Sequence, residues 1–405
     1  MHLPNLAHYD LRYSDVARRV KRLYVRPDWL SPMDASLDLG RRLSQNMAAL
    51  TNSNRRERSE DLFYVASSVL KGCSSLQEVT VVIHDQSLSS TFVEVLNSLW
   101  TQDSIAPRLI KLSIDSTKLN LPDIIHPIVM AQKTMPNLQS LSLTVTPSRL
   151  GAHSELLQRS MNNALRKLFA VYRSRLTSIS LSSPQFQDVA GLLESSAQLF
   201  CPNLTTFELH TIFTAHPPGY LGLSSFLSDH ADTLQHLVIQ PRPPFATDIK
   251  ANDYLYCNWI LSKDSDADST SLRRKIFPRL ITLELGLRNP WDPFDHNLHT
   301  LRHDSKILPN ISMLAPTLTN LTLTILPLTF IRISDIIDDL AHSSSRLETL
   351  RLRAEILCPQ LFDILSSKLL GLRYLDIDYG LAASELRITR SEKIQGPVSH
   401  PWLCN

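Results

Sequence analysis

A six-residue hydrophobic pattern recurs along the chain. Large apolar residues occupy its first, fourth and sixth positions, as at Leu76, Val79 and Val81. The alternation at the end of the pattern is typical of a β-strand, because successive strand side chains point to opposite faces of a sheet. The pattern therefore predicts eleven short strands. Its copies begin at Val20, Leu76, Leu109, Leu138, Leu176, Leu204, Leu234, Leu280, Leu318, Leu347 and Leu372.

The segments between the copies change to a hydrophobic period of about 3.6 residues, which indicates amphipathic helices. In residues 122–135, for example, Ile124, Ile125 and Ile128 fall on one flank, and Pro122 suits a first helical turn. Proline also stands just before several strands, where it ends the preceding helix. The predicted helices cover residues 61–71, 90–100, 122–135, 155–172, 186–200, 331–342 and 358–370.

A strand followed by a helix, repeated in this way, predicts the α/β fold of a leucine-rich-repeat solenoid with about 11 repeats. Parallel strands are expected on a concave face and helices on a convex face. We assign residues 1–19 to an N-terminal lead, 20–380 to the repeats and 381–405 to a C-terminal cap or flexible tail. Two long insertions, 241–275 and 288–306, interrupt the repeats.

Two repeat openings carry a resemblance to a known family. Met135-Pro-Asn-Leu138 and Cys201-Pro-Asn-Leu204 resemble repeats of fungal F-box proteins that have a ribonuclease-inhibitor-like leucine-rich-repeat region. The resemblance implies that the repeats hold a protein substrate, while an F-box docks the adaptor of a cullin-type ubiquitin ligase. Only 19 residues precede the first strand pattern, too few for a three-helix F-box, so we expect a member that lacks the F-box itself.

Composition narrows the classes of partner and the compartment. The chain has 41 Lys and Arg against 39 Asp and Glu, and this balance argues against nucleic-acid or membrane-surface binding. No apolar run approaches the roughly 20 residues of a membrane span, and no secretory signal opens the sequence. We expect a cytoplasmic or nuclear protein. Its five cysteines form no CxxC pair and are expected to be reduced.

Sequence signatures of catalysis are missing. The chain has no GxGxxG, GxxxxGK[ST], GxSxG or HExxH motif, which predicts a protein that is not an enzyme and needs no cofactor. Residues 264–268 resemble the opening of a calcium loop, but Ser269 replaces the required glycine and Lys275 the glutamate. His296, His299 and His303 have helical spacing but no cysteine partner. We predict no metal at either place.

Candidate binding residues lie on the strands, at positions that flank the apolar ones and so face away from the core. Serine and threonine fill the middle of this face, whereas arginine, tyrosine and carboxylates gather at its ends. Arginine and aromatic side chains dominate interface hot spots, and one insertion adds an aromatic pair. The candidates are Arg22, Tyr24, Arg26, Glu208, His210, His236, Glu284, Trp291, Phe294, Arg351, Arg353, Tyr374, Asp376 and Asp378.

Three interpretations of this face stay open at the level of sequence. The first is a protein-binding scaffold, such as a substrate receptor related to cullin-type ubiquitin ligases. The second is a stand-alone inhibitor or assembly module of the ribonuclease-inhibitor type, with no role in ubiquitin transfer. The third is an idle sheet surface whose hydroxyls and charges only keep the protein soluble. Because we expect a member without an F-box, the cullin adaptor stays open as a partner.

Overall fold

A computed structural model gives the fold of the repeats. The residues that it describes are 18–26, 70–84 except 71, 88–131 except 89, 133–147, 155–193 except 185, 199–211, 218–240, 277–285, 315–342 and 346–382. Both insertions, nearly all of the N-terminal lead and the tail from residue 383 onward lie outside these residues. The chain divides into two compact units, Met1–Ile179 and Ser180–Asn405.

The strands confirm the repeat pattern, because each predicted copy places its second and third apolar positions in a strand. All described strand pairs are parallel, and the strand order follows the order of the chain. The fold is the α/β leucine-rich-repeat architecture that the sequence predicts. The strands are β1 (Arg22–Val25), β2 (Glu78–Ile83), β3 (Lys111–Thr117), β4 (Ser140–Thr146), β5 (Ser178–Ser183), β6 (Thr206–Thr211), β7 (His236–Gln240), β8 (Thr282–Leu285), β9 (Asn320–Leu328), β10 (Thr349–Leu357) and β11 (Tyr374–Ala382).

The helices agree with the sequence pattern in six places and add one that it missed. The described helices are α1 (Ser90–Thr101), α2 (Leu121–Met130), α3 (Glu155–Tyr172), α4 (Phe186–Leu193), α5 (Pro218–Asp229), α6 (Phe330–His342) and α7 (Pro359–Lys368). Helix α5 went unpredicted because glycines and serines interrupt its buried stripe of Leu223, Phe226 and Leu227. The predicted helix 61–71 lies almost wholly outside the described residues.

A repeated pair of backbone hydrogen bonds sets the register of the strands. The N–H groups of Gln77 and Glu78 both donate to the carbonyl of Lys21, at 2.9 and 3.0 Å. In the second unit, Gln235 and His236 donate in the same way to the carbonyl of Thr205. Each strand therefore begins level with its neighbour, and apolar residues align with apolar residues across the sheet.

The core of the first unit lies between its strands and helices. The repeat leucines Leu76, Leu109 and Leu138 have no exposed surface. Helices α2 and α3 are joined by a buried hydrogen bond, in which the Tyr172 hydroxyl donates to the carbonyl of Ile128 at 2.9 Å. Burial raises the pKa of Tyr172, so this hydroxyl stays a donor at neutral pH.

Two short hydroxyl side chains at the end of β3 form hydrogen bonds to the preceding repeat. Ser116 is fully buried and its hydroxyl donates to the carbonyl of Ile83 at 2.7 Å. Thr117 donates to the carbonyl of His84 at 3.3 Å. Many shorter leucine-rich repeats have an asparagine after the strand. In this chain, the hydroxyls of Ser116 and Thr117 form hydrogen bonds between neighbouring repeats.

In the second unit the core combines leucine columns with an aromatic cluster. Leu283, Leu321 and Leu350 are at most 1% exposed and lie level with one another on β8, β9 and β10. Phe207 and Phe226 pack with their ring centroids 4.8 Å apart. This contact packs helix α5 against the core side of β6.

The cysteines depart in part from the sequence expectation. Cys73 and Cys201 are buried free thiols, as expected. Cys358 is disulfide-bonded, so the expectation that all five thiols are reduced is wrong at this position. No described helix combines the length and the apolar character that a bilayer crossing requires.

Candidate protein-binding surface

The strands of each unit present a face that is not part of the core. In β4 the residues alternate strictly between buried and half-buried, because leucine and valine alternate with serine and threonine. We call the side of the half-buried positions the first outer face in the first unit and the second outer face in the second unit. Each face is described by itself.

Paired charges mark the beginning of the first outer face. Arg22 on β1 lies level with Glu78 on β2, and its Nε is 3.1 Å from the Glu78 carboxylate. Tyr24 is half-buried and level with Thr80, while Arg26 is exposed just beyond β1. The structure therefore places all three predicted N-terminal candidates near one another, with the charge of Arg22 already paired.

A polar cluster that the site prediction missed lies further along the first outer face. One oxygen of Asp115 accepts a hydrogen bond from the Thr146 hydroxyl at 2.6 Å and lies 3.3 Å from His84 Nε2. Both His84 and Asp115 are partly exposed. The cluster could not be predicted from the sequence, because its members come from three successive repeats. They meet only because the strands are in register.

The second outer face consists of level rows that cross neighbouring strands. One row runs through Thr206, His236, Thr282, Asn320, Thr349 and Tyr374. The next row runs through Glu208, Val238, Glu284, Thr322, Arg351 and Asp376. Small polar side chains occupy the middle of the first row, whereas the second row carries charged side chains at four of its six positions.

Carboxylates at the β6 to β8 end of these rows have polar neighbours. Glu208 lies 3.9 Å from the ring of His210 on the same strand. Gln240 donates a hydrogen bond to Glu284 on the next strand. His236 is half-buried and level with Thr282. Glu208 and Glu284 are partly exposed, and each has a polar side chain beside it.

The C-terminal end of the second outer face carries its most exposed aromatic side chain. Tyr374 is 58% exposed. Beside it, Arg351 on β10 lies level with Asp376 on β11, and the guanidinium Nε is 3.1 Å from the carboxylate. Tyrosine and arginine are enriched among interface hot spots, and here an exposed tyrosine lies next to the ion pair of an exposed arginine.

Arg353 corrects the expectation of an exposed arginine, because its side chain is only 7% exposed. Leu352 and Ala354 on either side are buried as well, so alternation fails at this point of β10. The cause is an irregularity in the pairing, since Leu352 lies level with Leu323 but Ala354 lies level with Leu328. Burial lowers the pKa of Arg353, while Asp378, 3.9 Å away, opposes the shift. Arg353 therefore offers little surface to a partner, whereas Asp378 is exposed.

Several other sequence candidates are not placed. Trp291 and Phe294, the histidines His296, His299 and His303 and the acidic segment 264–268 lie outside the described residues. Within the ranges that the structure describes, no group of three or more histidine, cysteine, aspartate or glutamate side chains is arranged to hold a metal ion.

Two exposed apolar residues near β11 also escaped the sequence analysis. Leu370 is 85% exposed and Tyr379 is 45% exposed. Tyr379 has the strand parity of the core residues Leu375 and Ile377, so the pattern predicts that it is buried. The signal was its place on β11, the last described strand, because no described element of a following repeat covers it.

Comparison with known proteins yields matches to solved structures. No protein-family model matches the sequence, and no curated protein matches it. A chain from the crystal structure of the Rad7 and Elc1 complex in yeast is similar to this chain at 13% identity, covering 86% of this chain and 90% of that one, with a TM-score of 0.37. At that level of identity and superposition, the likeness gives no information about function.

Proposed function

We propose that this protein is a protein-binding scaffold that acts without catalysis, and that the second outer face is its binding surface. The observation that carries the proposal is the position of Tyr374, a largely exposed aromatic side chain beside the Arg351–Asp376 pair. Because strands in repeat proteins commonly form extended binding surfaces, a partner on this face would bury the tyrosine and contact both charges.

The flat polar middle of the same face supports the proposal. Thr282, Thr322 and Thr349 are short and half-buried, so a partner can approach the backbone of the sheet closely. Glu208 and Glu284 stand on the same face, in the row that contains Thr322. Carboxylates at these positions favour a partner that presents basic side chains, because complementary charge orients an encounter.

We further propose that the partner is a substrate of a cullin-type ubiquitin ligase and that the protein acts in the cytoplasm or nucleus. This finer proposal rests on the resemblance of the repeats to F-box-type leucine-rich-repeat proteins. Charge balance over the whole chain supports protein rather than nucleic acid as the partner.

Quantitative affinity purification of the tagged chain tests the binding surface. We compare the wild type with Arg351→Ala combined with Tyr374→Ala. The matched control combines Arg159→Ala on α3 with Phe362→Ala on α7, since Arg159 also forms an exposed ion pair and Phe362 is 45% exposed. We expect the face variant to lose its main partner and the control variant to retain it.

The same experiment separates the two forms of the proposal. Co-purification of the cullin adaptor supports a ubiquitin-ligase receptor. A partner that depends on Tyr374 without any adaptor supports a stand-alone inhibitor or assembly module. Equal recovery of every partner by the face variant and the wild type would contradict the binding surface itself.

A further inference from the structure

One row of the second outer face alternates charged side chains with small uncharged ones. Glu208 on β6, Glu284 on β8 and Arg351 on β10 lie level with one another across the sheet. Val238 on β7 stands between the two carboxylates, and Thr322 on β9 stands between Glu284 and Arg351. All five side chains are exposed at least in part. We call these five residues the charged row.

The three charges of this row are evenly spaced. Neighbouring strands of a sheet lie about 4.8 Å apart. Two such steps separate Glu208 from Glu284, and two more separate Glu284 from Arg351. The row therefore presents a carboxylate, a second carboxylate and a guanidinium at intervals of about 10 Å.

The two carboxylates give the β6 to β8 part of the face an acidic character. These three strands contain no lysine or arginine. Glu284 accepts a hydrogen bond from Gln240, and Glu208 lies 3.9 Å from the ring of His210. A partner that pairs with both carboxylates must present two basic side chains about 10 Å apart.

This spacing selects among the conformations of a partner segment. Side chains of a β-strand that point the same way are about 7 or 13 Å apart, which does not match the row. In a polyproline II segment every third side chain points the same way, and three residues rise about 9 Å. An α-helix needs seven residues for about 10.5 Å, and its carbonyls are already hydrogen-bonded. Polyproline II carbonyls stay open to donors, such as the hydroxyl of Thr322.

We propose that the second outer face binds a polyproline II segment of a partner protein. Two basic residues of the segment, three positions apart, pair with Glu208 and Glu284, and an acidic residue three positions further on pairs with Arg351. The guanidinium Nε of Arg351 lies 3.1 Å from Asp376, and a guanidinium has further N–H donors for a second carboxylate. This inference rests on the proposed function and names the ligand of the same surface.

Tyr374 supplies the aromatic contact that such segments commonly use. Polyproline II ligands dock their prolines against aromatic side chains. Tyr374 is 58% exposed on β11, the strand next to Arg351. A proline just beyond the acidic residue of the segment would pack on this ring. The charged row and Tyr374 would thus bind one continuous segment.

Fluorescence anisotropy with synthetic peptides tests the segment. The probe has two lysines three residues apart, a glutamate three residues further on, and prolines between and after them. Its reversed sequence is measured beside it, because a polyproline II segment can lie along the row in either direction. The spacing control has the same composition, with the lysines two residues apart. We expect the better of the two orientations to bind at least about fivefold more tightly than the spacing control.

Variants of the full chain locate the peptide. Glu208→Gln with Glu284→Gln keeps the shape of the row and removes both charges, which should weaken binding of the probe about five- to tenfold. The matched control, Asp335→Asn with Asp363→Asn, removes two exposed carboxylates from α6 and α7. It should leave the affinity within about twofold of the wild type. Equal melting temperatures show that both variants remain folded.

Three results would overturn the inference. Equal binding of the probe and the spacing control would mean that the face attracts positive charge without reading its spacing. Equal weakening by both pairs of substitutions would mean that only the net charge of the protein matters. Failure of the probe and its reversed sequence to bind, with a natural partner that still depends on Arg351 and Tyr374, would refute the segment and leave the binding surface in place. A natural partner that does not depend on these two residues contradicts the proposed function itself.

Discussion

The ring of His230 accepts a hydrogen bond from the backbone N–H of Cys201, with 2.9 Å between Nε2 and the nitrogen. Its other nitrogen, Nδ1, lies 2.7 Å from the carbonyl of Phe226 and donates to it. The residue is 1% exposed and packs against the ring of Phe226 at a centroid distance of 4.3 Å. The neutral imidazole therefore joins the end of α5 to the turn before β6.

The stability of the second unit should fall in mild acid because of His230. Burial lowers the pKa of His230 below its ordinary value of 6.5. The unfolded chain therefore binds this proton more readily than the folded one, so the contribution of the neutral ring is complete above about pH 6.5 and is lost as the pH falls further. Urea unfolding at pH 7.5 and 5.5 measures the difference.

A substitution isolates this effect. His230→Phe removes both hydrogen bonds and should cost about 1–3 kcal/mol at pH 7.5. The cost should shrink at pH 5.5, because the wild type then loses its own advantage. His126→Gln, at an exposed position of α2, is the control. A cost for His230→Phe that stays constant or grows in acid would refute the linkage.

Substitution of a core leucine should unfold repeats, whereas its neighbour should tolerate the same change. Leu321 is fully buried and Thr322 is half-buried on the other side of β9. Leu321→Asp removes a packed side chain and buries a charge, which should cost at least about 3 kcal/mol. Thr322→Asp should change the free energy of unfolding by about 0.5 kcal/mol or less. Thermal melting measures both, and an unchanged melting temperature for Leu321→Asp would contradict the assignment of core and outer face.

The ion pair between Arg351 and Asp376 should contribute little to stability. Both side chains are exposed, at 55% and 40%, and exposed pairs are typically worth about 0.2–1 kcal/mol. A double-mutant cycle with Arg351→Ala and Asp376→Ala measures the coupling, which should weaken further in high salt. A coupling above about 2 kcal/mol would mean that the pair is a structural element and not a surface available to a partner.

The repeat architecture could be predicted from sequence because each strand repeats one simple rule. Apolar residues such as Leu283 and Leu321 occupy the same position in successive copies and become level in the sheet. Helix α5 was missed because its buried stripe is short and because glycines and serines are frequent in the helix. The strands could be predicted from a pattern that many copies share, whereas each helix had to be predicted from its own segment alone.

The details of the candidate surface depended on contacts between repeats, which the sequence pattern does not contain. Arg353 occupies an outer position by parity, yet the shifted pairing with β9 buries it. Arg351 and Asp376 are separate candidates in the sequence, and the structure shows them as one ion pair. The burial of Arg353 and the pairing of Arg351 with Asp376 both depend on a neighbouring strand. The alternation of residues within a single strand does not predict such contacts.

Radical footprinting of the protein with and without its purified partner tests the central claim most directly. Tyr374 on the second outer face and Phe362 on α7 are exposed by 58% and 45%, so both aromatic rings should be modified in the free protein. We predict that the partner protects Tyr374 and leaves Phe362 unchanged. Protection of Phe362 with continued modification of Tyr374 would contradict binding at the strand face and place the partner on the helices.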